Sequence, residues 1–85
     1  MDVQILSDPS RRVVGAKQTL KALTKGSVAL VLMAEDADTR VTRPIEEKCQ
    51  EHKVQLKKVP SMRELGAACS IQVGAAVVAI LKQDL

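Results

Sequence analysis

Two uninterrupted apolar runs constrain this chain more than anything else in it: VALVLM at residues 28–33 and AAVVAIL at residues 75–81. Each is short for a helix, carries β-branched residues and lacks polar alternation, the pattern of a strand covered on both faces. A sheet with such strands needs helices on both sides. Residues 16–25 supply one: Ala16, Leu20 and Leu23 recur at i, i+4, i+7 and Gly26-Ser27 follow as a stop. Residues 42–52 predict a second, with Pro44 in its first turn, Glu46 and Glu47 near its start and Ile45 and Cys49 on one face. Ser61-Met62-Arg63-Glu64 after Pro60 has the form of a capping box and opens a third, short helix ending about Cys69. Residues 53–59 (KVQLKKV) begin with alternation and read as a half-exposed strand, and Arg12-Val13-Val14 reads as a short strand stopped by Gly15. A first helical turn is expected near residues 3–6. The order βα-βα-βα-β over 85 residues predicts a single domain spanning 1–85. Its fold class is α/β, a three-layer α/β/α sandwich around a mixed sheet of about four strands.

What the chain lacks is as informative. It contains no Phe, Tyr or Trp, so it cannot hold single-stranded bases on aromatic faces as RRM, OB and cold-shock modules do. Contact with nucleic acid would have to rest on lysines, amides, backbone N–H groups and aliphatic wedges. The net charge of +3 is unevenly spread. Arg11, Arg12, Lys17, Lys21 and Lys25 make the first third basic, Glu35, Asp36, Asp38, Glu46, Glu47 and Glu51 make the middle acidic, and Lys53, Lys57, Lys58, Arg63 and Lys82 make the last third basic again. Such a field steers polyanions to one side, although a mixed solvated surface is the more ordinary meaning of a small net charge. The first residues, MDVQILSDPSRR, contain no apolar core or small-residue cleavage site of a secretory signal, and the two cysteines form no CxxC. A cytoplasmic location in a reducing compartment is expected. Residues 65–81 are uncharged but interrupted by Gly66, Ser70, Gln72 and Gly74, and fall short of the roughly 20 apolar residues of a membrane span.

Few residues offer catalytic chemistry. The lone histidine, His52, falls at a predicted helix end, where the dipole favours an imidazolium. Glu35, Asp36 and Asp38 follow the first apolar strand, where three carboxylates would suit Mg²⁺, but no glycine-rich phosphate loop accompanies them and a polar turn capping the next helix is the simpler reading. Cys49 and Cys69 read as small buried hydrophobes. No cofactor and no metal are called for.

The helix after Gly15 is different. On a wheel, Lys17, Lys21 and Lys25 lie at about 0°, 40° and 80° and Gln18 at about 100°, opposite the apolar stripe. Like charges at i, i+4 repel by ~0.2–0.5 kcal/mol per pair, and a lysine early in a helix opposes the dipole. An anion would relieve both, and the free N–H groups after Gly15 would add donors to it; an ordinary solvated lysine face is the equal alternative from this helix alone. A second feature is the loop Ser70-Ile71-Gln72-Val73-Gly74, set among small residues. Its Ile71 and Val73 either tuck into the core or form an aliphatic shelf.

Three blocks, Gly15-Ala16-Lys17-Gln18-Thr19-Leu20-Lys21-Ala22-Leu23 with Lys25-Gly26, then Ala34-Glu35-Asp36-Ala37-Asp38, then Leu65-Gly66-Ala67-Ala68-Cys69-Ser70 with Val73-Gly74-Ala75-Ala76, resemble the L-seven-Ae / L-thirty-e ribosomal-protein superfamily of kink-turn RNA binders. The resemblance is to its short bacterial branch and covers about residues 11–82. It implies a ribonucleoprotein component that is not an enzyme, a monomer when free, whose partner is a structured RNA containing a kink-turn, in the ribosome or in a regulatory RNA. Lys17, Gln18 and Lys21 would face guanine edges of the tandem sheared G·A pairs, and Gly15 would let backbone approach phosphate. Ile71, Gln72 and Val73 would pack against nucleotides flipped out of the kink, with Asp38 a candidate for the same pocket. This chain has Lys17-Gln18 where other branches carry Asn-Glu, Ser70 where Gly is frequent, and Gly74 where many members have Pro. The same fold also serves protein-interaction modules, for which the 70–74 loop would be the contact surface.

Overall fold

The computed structural model describes residues 8–82; the helical turn expected near residues 3–6 lies outside them. In chain order the elements are β1 (Arg12–Val14), α1 (Ala16–Lys25), β2 (Val28–Ala34), α2 (Thr39–His52), β3 (Gln55–Val59), α3 (Met62–Ala68) and β4 (Val77–Leu81). The strands form one sheet in the order β1-β4-β2-β3. β4 is antiparallel to both its neighbours and β3 is parallel to β2. The two apolar runs therefore take the two central places, where hydrogen bonding on both edges and packing on both faces leave no room for polar side chains.

Alternation along the central strands divides the core in two. Val31 and Met33 of β2 and Val77 and Ala79 of β4 pack with Ala22, Leu23, Ile45 and Cys49 of α1 and α2. Leu32 and Ala34 of β2 and Val78 and Ile80 of β4 face the other way, onto Leu65 and Cys69 at α3. Two helices over one face and one over the other make the three layers. The register between β2 and β4 slips between Val28 and Leu30, and this irregularity puts Val28 in the α1/α2 layer although strict alternation would place it with Leu30.

The boundaries differ from the sequence reading where local capping competes with pattern. α2 opens at Thr39 rather than 42, because the Asp38 carboxylate accepts from the Arg40 N–H at 2.9 Å and starts the helix a turn earlier. Pro44 consequently lies inside the helix, not in its first turn. Its missing N–H leaves the Arg40 carbonyl without that helical partner, a cost lowered by the exposure of this segment to water. β3 begins at Gln55 rather than 53 and β4 at Val77 rather than 75, since Ala75 belongs to the preceding loop, where its N–H donates to the Met62 carbonyl. At Ser61 the hydroxyl accepts from the Glu64 N–H at 3.1 Å, one of the two bonds of a capping box, while the Met62 N–H goes to Asp36 Oδ1 at 2.8 Å. Among the described residues no helix is long and apolar enough to cross a membrane.

Because β1, β2 and β3 all run the same way, their C-terminal ends meet at one end of the sheet, and each leads into the start of a helix. β4 enters from that end. Three backbone hydrogen bonds tie it together: Gly15 N–H to Val77 O at 2.8 Å, Ala34 N–H to Ala76 O at 2.9 Å, and Glu35 N–H to Val59 O at 2.8 Å.

Candidate nucleic-acid interface

At that end α1 begins without a cap. Gly15 holds the N-cap position at φ 106°, a conformation side chains rarely adopt, and supplies no side-chain hydrogen bond. No acidic residue stands in the first turn. The leading N–H groups, the positive end of the helix dipole and the side chain of Lys17 thus coincide, with Lys21 one turn on, an arrangement that suits an anion or an electronegative base edge. Lys17, Gln18, Lys21 and Lys25 are all exposed, while Thr19, Ala22 and Leu23 are buried on the opposite side.

The second component is the loop leaving α3. Ser70 adopts φ 61°, and the turn is closed by the Ser70 N–H to Ala67 O at 3.0 Å and the Ile71 N–H to Gly66 O at 3.1 Å. The loop then doubles back over α3. A Cβ at position 66 would collide with the carbonyl oxygen of Val73, so the run of small residues accommodates this chain's own backbone. The two apolar loop residues divide between the fates open to them: Ile71 packs half-buried against the α3 layer, and Val73 stands 70% exposed. Gln72 is exposed beside it. With Asp36, Met62 and Arg63, the three residues 71–73 line a shallow groove of about 440 Å³.

The acidic turn after β2 is occupied with local structure. Asp38 caps α2 and pairs with Arg40 at 2.8 Å. The Arg40 side chain first, and its backbone N–H second, hold the Asp38 carboxyl below the usual carboxylate range. Asp36 caps α3, and Glu35 is exposed. The capping alternative thus describes this turn, and Asp38, though at the right end of the sheet, has its carboxylate engaged within the protein. Among the described residues no cluster of His, Cys, Asp or Glu could hold a metal ion. His52 is the last residue of α2. Cys49 and Cys69 are buried free thiols, both raised by burial, with Glu46 adding to the effect at Cys49 and Arg12 opposing it at Cys69.

One participant escaped the sequence reading. Arg12, on the edge strand β1, donates from Nη2 to the carbonyl of Cys69 at 3.2 Å. Only the β1–β4 pairing makes that contact possible, and no local pattern signals a pairing between residues 57 positions apart.

The match to known proteins runs over nearly the whole chain. Residues 2–84 fit the sequence profile of the ribosomal protein L7Ae/L30e/S12e/Gadd45 family. A protein of Geobacillus thermodenitrificans named RNA-binding protein is 50% identical over 70 residues, which is 82% of this chain and 85% of that one. The RNA-binding protein YbxF of Geobacillus stearothermophilus is 49% identical over 70 residues, with the same coverage of 82% and 85%. Among solved structures, the 15.5kD RNA binding protein of Giardia lamblia superimposes with a TM-score of 0.88 at 29% identity, covering 96% of this chain and 69% of its own. Sequence blocks, layer order and superposition agree, and the chain belongs to the ribosomal protein L7Ae/L30e/S12e/Gadd45 family.

Proposed function

We propose that this protein binds structured RNA, and that it recognises and stabilises kink-turns in ribosomal or regulatory RNA without catalysing a reaction. The observation that carries the proposal is the uncapped start of α1, with Lys17, Gln18 and Lys21 exposed around it, at the same end of the sheet as the 71–73 loop. The RNA-binding names of its relatives support the same reading.

The chemistry follows from RNA shape. In an A-form duplex the major groove is too narrow for side chains. A kink at sheared G·A pairs opens it, and α1 is suited to enter there by its N-terminus. Lys17 and Lys21 donate to guanine O6 and N7, the Gln18 amide both donates and accepts, and the N–H groups after Gly15 approach phosphate. Val73 offers an aliphatic face to a nucleotide turned out of the stack, with Ile71 anchoring the loop from below and Gln72 available for hydrogen bonding. The free protein is a monomer in this reading, and its place is the cytoplasm. RNA fluctuates between extended and kinked forms, and a protein that contacts the kinked form alone shifts the population toward it.

The test is a titration at about 0.15 M salt of a labelled kink-turn RNA against a control whose tandem G·A pairs are replaced by Watson–Crick pairs. Loss of two or more orders of magnitude on the control is expected; equal, weak binding to both would remove kink-turn recognition. The 70% exposure of Val73 gives weight to a second reading, a protein-interaction module using the 70–74 loop. Salt separates the two, because phosphate contacts make affinity fall steeply with ionic strength and an apolar interface does not.

A further inference from the structure

The α3 C-terminus is held by a residue from the edge strand β1. Cys69, the C-cap of α3, is fully buried, and its own N–H is already used within the last turn. Its carbonyl is one of the orphan acceptors every helix end leaves behind, and a buried acceptor needs a partner. Arg12 provides it: β1 is paired with β4 so that Arg12 lies opposite Ile80, on the α3 side with Val14, and its guanidinium donates to Cys69 O at 3.2 Å. The next residues, Ser70 and Ile71, form the turn that carries Val73 outward, and three residues along the chain from Arg12 stands Gly15, where α1 opens. We infer that Arg12 is a positioning residue that fixes the 70–74 loop relative to the start of α1, so that the two halves of the proposed RNA interface are presented in one geometry. The inference rests on the proposed RNA-binding function for its consequence, but the tie itself belongs to the free protein.

A cation at a helix C-terminus is favoured by the dipole, and a charge-assisted bond to a buried carbonyl is stronger than a neutral one. Lysine at position 12 would keep the charge and lose the planar fork. Amide hydrogen exchange of the free protein is compared for the native chain, Arg12→Ala and Arg12→Lys, together with the affinity of each for kink-turn RNA at several salt concentrations. Expected in Arg12→Ala is exchange about tenfold faster at Ser70 and Ile71, with the core amides of Leu32 and Val78 unchanged. RNA affinity should fall by about tenfold while the slope of affinity against salt stays the same, since no phosphate contact is lost. Arg12→Lys should fall short of the native chain in both readouts. Unchanged exchange at Ser70 and Ile71 would overturn the inference. A salt slope reduced by about one, with full affinity kept in Arg12→Lys, would also overturn it, since Arg12 would then be a phosphate contact. Should the native chain show no kink-turn preference, the proposed function fails, and the positioning role falls with it while the exchange data alone judge the tie.

Discussion

Lys21 and Thr19 sit two residues apart on α1 and answer to different forces. Lys21 is exposed in the middle of the basic face, between Lys17 and Lys25, with a like charge one turn away in each direction. Removing it relieves repulsion in the free helix, so Lys21→Ala should leave thermal stability unchanged or slightly raised. Its affinity for kink-turn RNA should drop by ~1–3 kcal/mol if the ammonium meets a guanine edge, and a gel-shift affinity equal to that of the native chain would remove that role. Thr19 is fully buried beneath the same turn, and its Oγ1 has no hydrogen-bond partner among the described residues. An unpaired buried hydroxyl is costly, whereas valine has nearly the same shape and no polar atom. Thr19→Val should therefore raise unfolding stability by about 1 kcal/mol in urea, with RNA affinity unaltered because the change points away from Lys17, Gln18 and Lys21. The two variants together separate the helix as a packed element from the helix as a binding surface.

At the scale of elements, the short helix α3 is the most dependent on its ends. Seven residues cannot sustain a helix by propensity, and α3 persists through Leu65 in the core, the Ser61 hydroxyl and Asp36 carboxylate at its start, and Arg12 at its finish. Ser61→Ala should lower stability by ~0.5–2 kcal/mol, measured by thermal or urea unfolding; a change below a few tenths would mean that Asp36 alone holds that end. The same helix shows which features are legible in a sequence. Ser61 and Glu64 are close neighbours, and their spacing announces the cap. Asp36 and Arg12 come from distant segments that only the strand order brings near, and nothing local marks them. The two central strands were legible because burial on both faces leaves an unbroken apolar run. The start of α2 was legible in part: the acidic turn read most simply as the cap of that helix, as Asp38 is, while Pro44 advertised a first turn three residues too late. On the site, the periodicity of Lys17, Lys21 and Gln18 placed three polar groups on one exposed face, as the structure has them. The different fates of Ile71 and Val73 depended on how the loop folds back over Gly66, a close backbone approach that no spacing rule contains.

For the molecule as a whole, the decisive property is that its two candidate contact regions lie at one hydrogen-bonded end of a four-stranded sheet. On the proposed function, the protein engages an RNA only when the RNA has brought the opened groove and the extruded nucleotide to the matching places. If free RNA is kinked for a fraction f of the time, the apparent dissociation constant is the intrinsic one divided by f. Two RNAs with identical contact nucleotides, one of them kinked about ten times more often because of the base pairs flanking the bend, should therefore differ about tenfold in affinity. Because both complexes are the same once formed, the difference should lie in association, with equal dissociation rates. Donor and acceptor dyes on the two RNA arms report f before protein is added and the shift toward the kinked form afterwards, which suits a protein that carries no Trp or Tyr to serve as a probe. Lys21→Ala should weaken both RNAs by the same factor and leave their ratio intact, since it changes the contacts and not the RNA equilibrium. An affinity independent of f would mean that the basic face holds RNA in any shape, and the population-shift mechanism would be abandoned for simple electrostatic attraction.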